Sequence, residues 1–328
     1  MNIRLYTENL EREYLSPYAV KSCESLGRLR DEEPCEIRTC FQRDRDRIIH
    51  SKAFRRLMHK TQAFISPEGD HYRTRLTHTL EVSQIARTIS RALRLNEDLT
   101  EAIALGHDLG HTPFGHLGEE DLNDVVPGGF RHNEQSVRVV EKIEKNGRGL
   151  NLCIEVIDGI LNHRGAGSPC TLEGKVVQLS DKIAYINHDI DDAVRAGILS
   201  EDDLPGDCVE LLGDTFKKRI NCLITNVIEN SMDKNDIIMD SEIKSGMYRL
   251  RAFMFKNVYN SSKLAEERKH YRVFLSKIYK YYMANFDEMP VEFLHMYKQG
   301  EPKELVVADY IAGMTDRFAQ RLYKELKF

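Results

Sequence analysis

The chain of 328 residues is long enough to bury a sizeable core, in one large domain or two, and its net charge of −5 does not indicate the cationic surface of a nucleic-acid-binding protein. Its seven cysteines are odd in number and form no CxxC pair, which predicts reduced thiols in a cytoplasmic protein rather than a disulfide framework or a zinc finger. Neither a signal-peptide core nor a run of about 18 apolar residues occurs, so we expect no membrane segment.

Apolar periodicity predicts an all-α protein. Leu, Ile, Glu, Lys and Arg recur with a period of about 3.6 residues, whereas alternating strand patterns with hairpin turns are scarce. We expect an N-terminal arm over residues 1–37, a helical core over 38–200, and a C-terminal helical region over 201–328 that packs on the core. The break before the C-terminal region falls in the acidic stretch 202–207, which contains Pro and Gly.

The first informative helix is predicted over 75–95. Apolar residues recur there at steps of three and four, and a histidine falls on the same face. The members of this face are His78, Val82, Ile85, Ile89 and Leu93. We therefore expect His78 to point towards the core.

The next predicted helix begins near Asn96 and is stopped by Gly110 and Pro113. It carries His107 on its apolar side, so the pair His107 and Asp108 is expected in its last turn. Neighbouring side chains on a helix diverge by about 100°. The side chains of His107 and Asp108 can therefore reach one ion only beyond the end of the helix, which is where Gly110 and Pro113 stop it.

A third helical run is predicted over 179–199, with Asp181 near its start and a polar face where a core helix would be apolar. Taken singly, a buried histidine is more often a core residue and an aspartate a cap. Two imidazoles and two carboxylates without a thiolate suit one working Mn, Fe, Co, Ni or Mg ion, whereas a structural zinc would recruit cysteine. Together they predict one divalent metal with the ligands His78, His107, Asp108 and Asp181.

A candidate acid lies at the end of the His-rich run 107–116, for which packing gives no reason. His116 and Glu119 are three residues apart, so on one helical turn the carboxylate can orient and charge the imidazole. This pair predicts a general acid that protonates a departing oxygen. Arg75, three residues before His78, and Lys182, next to Asp181, add positive charge that suits a polyanion such as a triphosphate.

These motifs resemble the HD superfamily of metal-dependent phosphohydrolases, and specifically its bacterial deoxyguanosine triphosphate triphosphohydrolase-like branch. The resemblance covers most of residues 38–320 and rests on blocks in the family's order, at 41–50, 54–57, 60–62, 73–78, 107–116, 131–134, 180–185 and 309–317. It implies an all-α HD-domain helical bundle with an additional C-terminal helical region, and it makes the core of 38–200 the catalytic one.

The resemblance also implies an activity, the metal-dependent hydrolysis of deoxynucleoside triphosphates to deoxynucleoside and inorganic triphosphate by attack of water on the α-phosphorus. It makes His116 and Glu119 the catalytic pair. The residues that match the family's triphosphate contacts are Arg75, His111, His132, Lys182, Tyr185 and Arg251. The assignment of Arg251 rests on its spacing to Tyr259, which is carried over as a further substrate contact.

For the sugar, the resemblance implies that Tyr185 leaves no room for a ribose 2′-hydroxyl and that Gln62 and Asp189 hydrogen-bond the 3′-hydroxyl. From the residues alone, an ordinary half-buried helix position explains Tyr185 better. A solvated acidic cluster with Asp191 and Asp192 explains Asp189 equally well.

Two other functions stay open. One is another HD phosphohydrolase, such as a nucleoside monophosphatase or a cyclic-nucleotide phosphodiesterase. The other is a nucleotide-sensing or nucleic-acid-binding protein without turnover, against which the acid pair argues, because binding alone needs no general acid.

The expected partners are a deoxynucleoside triphosphate and further copies of the chain, because the resembled enzymes are commonly tetramers or hexamers. An allosteric second nucleotide is a further candidate, although we expect no appended regulatory domain. The charge does not indicate a nucleic acid, and no membrane partner is expected.

Overall fold

The computed structural model describes residues 2–62, 73–259, 269 and 271–328. Over these residues the chain consists of α-helices joined by turns and by short 3-10 and π segments, and none of them lies in a β-strand. Strand-like pairing within the described ranges is confined to isolated bridges between Arg28 and Cys153 and between Thr61 and Thr74. The all-α prediction is confirmed.

The α-helices are numbered in chain order: α1 (Ile3–Tyr14), α2 (Cys40–Ile49), α3 (Lys52–Arg56), α4 (Arg75–Ala92), α5 (Glu97–Gly106), α6 (Gly115–Val125), α7 (His132–Arg138), α8 (Glu144–Gly147), α9 (Ile154–Asn162), α10 (Leu172–Arg195), α11 (Gly206–Leu212), α12 (Phe216–Ser231), α13 (Ser241–Met254), α14 (Phe274–Ala284), α15 (Val291–Lys298), α16 (Lys303–Ala312) and α17 (Asp316–Glu325). Single-turn π segments continue α7 and α13, over Val139–Ile143 and Phe255–Tyr259.

The inward face predicted for α4 is confirmed. Each of its members is at most 8% exposed: His78, Val82, Ile85, Ile89 and Leu93. The helix ends at Ala92, earlier than predicted, because Arg94 adopts a left-handed φ of 54°. The burial of His78 therefore follows from the spacing of apolar residues.

Helix α5 begins after Asn96, whose side-chain Oδ1 accepts a hydrogen bond from the Leu99 N–H at 3.2 Å. It ends at Gly106, so His107 and Asp108 lie in the turn directly after the helix rather than in its last turn. This position favours the predicted convergence of His107 and Asp108 on one ion, because backbone outside a helix lets neighbouring side chains point in the same direction.

Helix α10 is longer than predicted, since it begins at Leu172 instead of 179. The Thr171 hydroxyl caps it by accepting from the Gly174 N–H at 3.0 Å. Its first turns contain Gly174, Val176 and Val177, which are weak helix formers. Both valines are buried, so packing outweighs propensity here and Asp181 lies in the middle of the helix.

The chain divides into two compact units, each described by itself. Unit 1 contains the described residues of Met1–Arg47, His78–Leu105 and Leu152–Leu264. Its centre is α10, which packs against α9, α12 and α13. Helix α9 meets α5 so closely that a Cβ at Gly159 would lie 2.5 Å from Ile103. This close contact fixes α9, against which α10 packs, next to α5 in unit 1.

Unit 2 contains the described residues of Ile48–Thr77, Gly106–Asn151 and Ala265–Phe328. Helix α14 packs against α6 and α16 around a core that includes Phe114, Leu122, Phe274, Ile278, Val306 and Ile311. Asp121 of α6 accepts from the Leu275 and Ser276 N–H groups of α14 at 2.7 and 2.9 Å. This carboxylate anchors α6 to the start of α14.

Two further sequence predictions concern cysteines and membrane segments. All seven cysteines are free thiols. Among the described residues, no helix combines the length and the apolar character needed to cross a membrane. The division into arm, core and C-terminal region stays a prediction.

A buried carboxylate in unit 1 ties the N-terminal segment to α10. Glu173 is 0% exposed, and its Oε1 accepts from the Val20 and Asn96 N–H groups at 3.1 and 3.0 Å. Burial raises the pKa of Glu173 to about 7, although these backbone hydrogen bonds lower it. In the folded protein this side chain therefore binds a proton far more tightly than an exposed glutamate does.

Glu173→Gln should remove a pH dependence of stability. The folded pKa of Glu173, about 7, lies above its ordinary value of 4.5. The contribution of Glu173 to the free energy of unfolding is therefore fully present below pH 4.5. As the pH rises to about 7, this contribution decreases by roughly 3 kcal/mol. Glutamine stays neutral and its Oε1 keeps both hydrogen bonds.

Urea unfolding of wild type and Glu173→Gln at about pH 5 and about pH 7.5 measures this effect. Glu155→Gln is the matched control, because Glu155 is another buried carboxylate that accepts a backbone N–H of the N-terminal segment, from Leu26 at 2.6 Å. Parallel pH dependences in wild type and Glu173→Gln would contradict the prediction.

Candidate active site

In unit 1, two of the predicted metal ligands lie side by side. His78 sits in the first turns of α4 and Asp181 in the middle of α10, and His78 Nε2 is 3.1 Å from Asp181 Oδ1. Donor atoms on neighbouring positions of an octahedral ion, each about 2.1 Å from it, lie about 3 Å apart. The spacing of this pair therefore fits two ligands of one ion.

In unit 2, the other two predicted ligands follow the end of α5. His107 and Asp108 are both buried, and His107 Nε2 is 3.7 Å from Asp108 Oδ1. Ser136 of α7 holds the turn, because its Oγ donates to the His107 carbonyl at 2.8 Å and accepts from the Gly110 N–H at 2.9 Å. A Cβ at Gly110 would lie 2.2 Å from the Ser136 nitrogen, which explains the glycine.

Asp108 is held as an anion by its surroundings. Arg75, itself buried, donates from Nη1 to Asp108 Oδ2 at 2.5 Å. Burial raises the pKa of Asp108, but the neighbouring positive charge, chiefly that of Arg75, lowers it by more, and it lies well below its ordinary value. A buried carboxylate that stays charged is suited to binding a cation.

A group of histidines surrounds Glu119 in unit 2. His111 and His132 stack with ring centroids 4.4 Å apart. Burial, Arg75 and His132 together lower the pKa of His111 well below its ordinary value, so this ring is neutral. Asp108, His111 and His132 offer ligand atoms that all lie within 4.8 Å of one another, as do His111, His116 and Glu119. This unit therefore contains a His/Asp cluster able to hold a metal.

The predicted acid pair is present, but Glu119 has a second partner. Glu119 Oε2 is 3.5 Å from His116 Nδ1, whereas both of its oxygens are 3.0 Å from His132 Nδ1 and Oε1 also accepts the His132 N–H at 3.1 Å. Burial raises the pKa of Glu119, yet hydrogen bonds from His116 and His132 lower it far more. The carboxylate is ionised and is shared by two imidazoles.

In unit 1, four of the predicted sugar and phosphate contacts form one group. The Tyr259 hydroxyl donates to Asp189 Oδ2, and the rings of Tyr185 and Tyr259 stack with centroids 6.4 Å apart. Burial together with Asp189 raises the pKa of Tyr185 to about 12, whereas the nearby Arg251 lowers it. Asp189 is 0% exposed, so the alternative of a solvated acidic cluster is wrong.

Two further predicted contacts lie elsewhere. Lys182 lines a cavity of about 190 Å³ in unit 1, together with Lys175, Lys244 and Tyr248. In unit 2, Gln62 is buried, and its backbone carbonyl accepts from Arg75 Nη2 at 3.4 Å. The cavity is bordered by three lysines, which suits an anion.

Sequence reasoning missed the groups that hold these residues in place. Ser136 supports the turn after α5, and Lys60 donates from Nζ to the His111 and Ala312 carbonyls, the latter at 2.7 Å. Asp316 accepts the Phe114 N–H at 3.0 Å. Lys60 and Asp316 lie in the blocks 60–62 and 309–317, so the motif signal was available for them, but it suggested no role.

Comparison with known proteins gives two domain matches and many relatives over the whole chain. Residues 75–186 match the HD domain and residues 237–325 match the phosphohydrolase-associated domain. A deoxyguanosinetriphosphate triphosphohydrolase-like protein of Caldanaerobacter subterraneus subsp. tengcongensis is 62% identical over 326 residues, which cover 99% of this chain and 96% of that protein. Proteins with the same name from Clostridium perfringens and Geobacter sulfurreducens are 54% and 39% identical, cover 99% and 97% of this chain, and are themselves covered to 98% and 96%.

Proposed function

Because the chain belongs to the family of deoxyguanosinetriphosphate triphosphohydrolase-like proteins and contains an HD domain, we propose that it hydrolyses deoxynucleoside triphosphates to deoxynucleoside and inorganic triphosphate. The observation that carries this proposal is the buried group in unit 2. It joins an anionic Asp108 paired with Arg75 to an ionised Glu119 that contacts His116 and His132. A cation site, a guanidinium for phosphate and a proton donor are the parts that phosphoryl-ester hydrolysis needs.

The metal in this proposal is a single divalent ion, Mn, Mg, Fe, Co or Ni, with the ligands His78, His107, Asp108 and Asp181. The donor set supports it, since it combines imidazole and carboxylate without thiolate, and so does the 3.1 Å between His78 and Asp181. When bound, the ion supplies Lewis acidity towards a phosphoryl oxygen and towards water. Buried His78 and His107 supply ring nitrogens, and the two carboxylates supply negative charge.

The proton for the leaving group is assigned to His116. Glu119 Oε2 faces His116 Nδ1, so Nε2 is the atom that donates to the departing sugar 5′-oxygen. His132, in contact with the same carboxylate, is assigned with His111 to the triphosphate.

The substrate contacts are assigned to two groups of residues. Arg75, His111, His132 and Lys182 bind the triphosphate together with Arg251, and the lysine-lined cavity beside Lys182 supports a polyanion there. Tyr185 and Tyr259 pack at the sugar, and Gln62 and Asp189 bind its 3′-hydroxyl. The stacking of Tyr185 on Tyr259 and the bond from Tyr259 to Asp189 support a rigid sugar site.

The proposal includes a cytoplasmic homo-oligomer, a tetramer or a hexamer as in the resembled enzymes, and it leaves room for an allosteric second nucleotide. The reduced cysteines agree with the cytoplasm. The described residues also show no helix able to span a membrane.

Product analysis tests the proposed activity. Metal-loaded protein is incubated with each of the four dNTPs and with GTP, and nucleoside and triphosphate are separated by chromatography. We expect equimolar deoxynucleoside and triphosphate. Release of monophosphate or diphosphate without triphosphate would favour another HD phosphohydrolase, and binding without any product would favour a nucleotide sensor.

Sugar selection gives a second test, on Tyr185. Wild type should hydrolyse dGTP far faster than GTP, and Tyr185→Ala should narrow the ratio of kcat/KM by opening space for the 2′-hydroxyl. Tyr185→Phe is the matched control, because it keeps the ring and should keep the ratio. Equal rates on dGTP and GTP in wild type would point to a less selective HD phosphatase.

Asp189 should act on all deoxynucleotides alike. Asp189→Ala removes a hydrogen bond from the 3′-hydroxyl to a charged acceptor, which should lower kcat/KM for each dNTP by roughly 10- to 100-fold. Tyr259→Phe separates this effect from the loss of the Tyr259 partner, since it breaks their mutual bond and leaves the carboxylate. An equal loss in both variants would show that Asp189 only supports Tyr259.

A further inference from the structure

Asp316 makes hydrogen bonds that its position on α17 does not require. It is the first residue of that helix and only 9% exposed. An acidic residue there usually serves its own helix, but the Thr315 hydroxyl already caps α17 by accepting the Phe318 N–H at 3.3 Å. The Asp316 carboxylate is used on two distant segments of the chain instead.

The two carboxylate oxygens of Asp316 accept hydrogen bonds from two different segments of the chain. Oδ1 accepts the Phe114 N–H at 3.0 Å, from 202 positions away in sequence. Oδ2 accepts the Thr61 N–H at 2.9 Å, from 255 positions away, and the Thr61 hydroxyl donates to the same oxygen. One buried carboxylate thus joins two backbone segments with three hydrogen bonds, all within unit 2.

Both segments lead directly into residues of the proposed reaction. Phe114 has a left-handed φ of 62° and precedes Gly115, where α6 begins with His116 and Glu119. Thr61 precedes Gln62. A Cβ at Gly115 would lie 3.0 Å from the Gln62 carbonyl, so the start of α6 already rests against the Gln62 segment.

A left-handed conformation at a non-glycine residue costs roughly 1–2 kcal/mol and persists only where neighbouring groups impose it. The bond from Phe114 N–H to Asp316 is such a constraint. The same carboxylate fixes Thr61, so it sets the distance between α6 and the Gln62 segment.

We propose that Asp316 is a positioning residue, which sets Gln62 against the acid-bearing helix α6 and thereby determines recognition of the sugar 3′-hydroxyl. The inference rests on the proposed function and extends it. Asp316 does not touch the substrate in this assignment; it acts through Gln62 and His116. The alternative is that its hydrogen bonds contribute to stability alone.

Asp316→Asn tests the inference, because the amide has one acceptor oxygen where the carboxylate has two. Whichever way it turns, either Phe114 or Thr61 loses its acceptor. The readout is the ratio of kcat/KM for dGTP to that for 2′,3′-dideoxy-GTP. We expect Asp316→Asn to lower this ratio by about 3- to 10-fold, the size of one neutral hydrogen bond.

The matched control is Asp121→Asn. Asp121 is also a buried carboxylate that accepts two backbone N–H groups, it lies on α6 itself, and it anchors that helix to α14. We expect it to lose stability without changing the ratio. A ratio that is unchanged in Asp316→Asn, or changed equally in both variants, would overturn the proposal.

A second variant covers the case in which Asp316→Asn does not fold. Thr61→Val removes only the hydrogen bond from the Thr61 hydroxyl to Asp316 Oδ2, so it should lower the ratio of kcat/KM for dGTP to that for 2′,3′-dideoxy-GTP by less than Asp316→Asn, and an unchanged ratio in Thr61→Val would overturn the proposal. Dissociation constants for the same two nucleotides measure the same preference at equilibrium, independent of turnover. Failure of the proposed function would appear in wild type, as no triphosphate from any dNTP, whereas failure of this inference would appear only between Asp316→Asn and Asp121→Asn.

Discussion

Alanine at His107 or at Asp181 should leave the protein folded but without its divalent metal and without triphosphate release. Each change removes one direct ligand of the proposed four. Loss of an outer partner of a metal ligand already costs 10- to 100-fold, so loss of a ligand should cost at least ~100-fold in activity. The fold should survive because the buried apolar faces of α4, α5 and α10 supply most of the stability.

Elemental analysis of the purified variants measures the metal, and circular dichroism measures helix content. His163→Ala is the matched control for His107, because His163 is a buried histidine whose Nδ1 lies 2.7 Å from the Ile160 carbonyl at the end of α9. Asp121→Ala is the matched control for Asp181, because Asp121 is also a buried aspartate. Both controls should keep the metal.

The same measurement separates two ligand sets. Asp108, His111 and His132 form an alternative group with ligand atoms within 4.8 Å of one another. If that group held the ion, His132→Ala would lose the metal and Asp181→Ala would keep it. We expect instead that Asp181→Ala loses the metal and that His132→Ala keeps it. Full metal occupancy in both His107→Ala and Asp181→Ala would contradict the proposed set of ligands.

Periodic features of the sequence predicted the parts of the site that lie within single helices. The apolar face of α4 carries its histidine inward, as the spacing required. The stop at Gly110 and Pro113 correctly marked the region where His107 and Asp108 leave the helix, although α5 ends slightly earlier. These features could be predicted because burial of one helix face imposes a repeat on the sequence.

Local helix propensity is a poor predictor where tertiary packing determines the structure. The start of α10 contains Gly174, Val176 and Val177, which argue against a helix, yet it is helical and buried. Asp189 lies among other acidic residues in sequence and resembled a solvated cluster. On the helix it turns inward to Tyr259, whereas Asp191 turns outward and pairs with Arg195 at 3.3 Å.

Contacts between distant segments leave no periodic signal. Glu119 was matched with His116 because they are three residues apart, but its nearer partner is His132, 13 positions away. Asp316 reaches Phe114 across 202 positions. A single sequence contains no spacing rule for such pairs, so these contacts can be seen only in the folded chain.

The second large effect is expected at the acid pair. His116→Ala should bind metal and dNTP normally but turn over at least ~100-fold more slowly, the usual scale for loss of a general acid. The His116 side chain is 59% exposed, so its removal should cost little stability. Glu119→Gln should lose at least as much activity, because Glu119 also contacts the ring and the backbone N–H of His132.

The double variant decides whether the two residues act as one. If Glu119 works by holding and charging His116, then His116→Ala with Glu119→Gln should be no slower than Glu119→Gln alone, since groups that act as a unit are strongly non-additive. Single-turnover rates on dGTP measure this, with Glu120→Gln, an exposed neighbour on α6, as the control that should match wild type. Multiplied losses would assign separate roles to His116 and Glu119. Unchanged turnover in His116→Ala, with a large loss in His132→Ala, would move the acid to the second imidazole beside the same carboxylate.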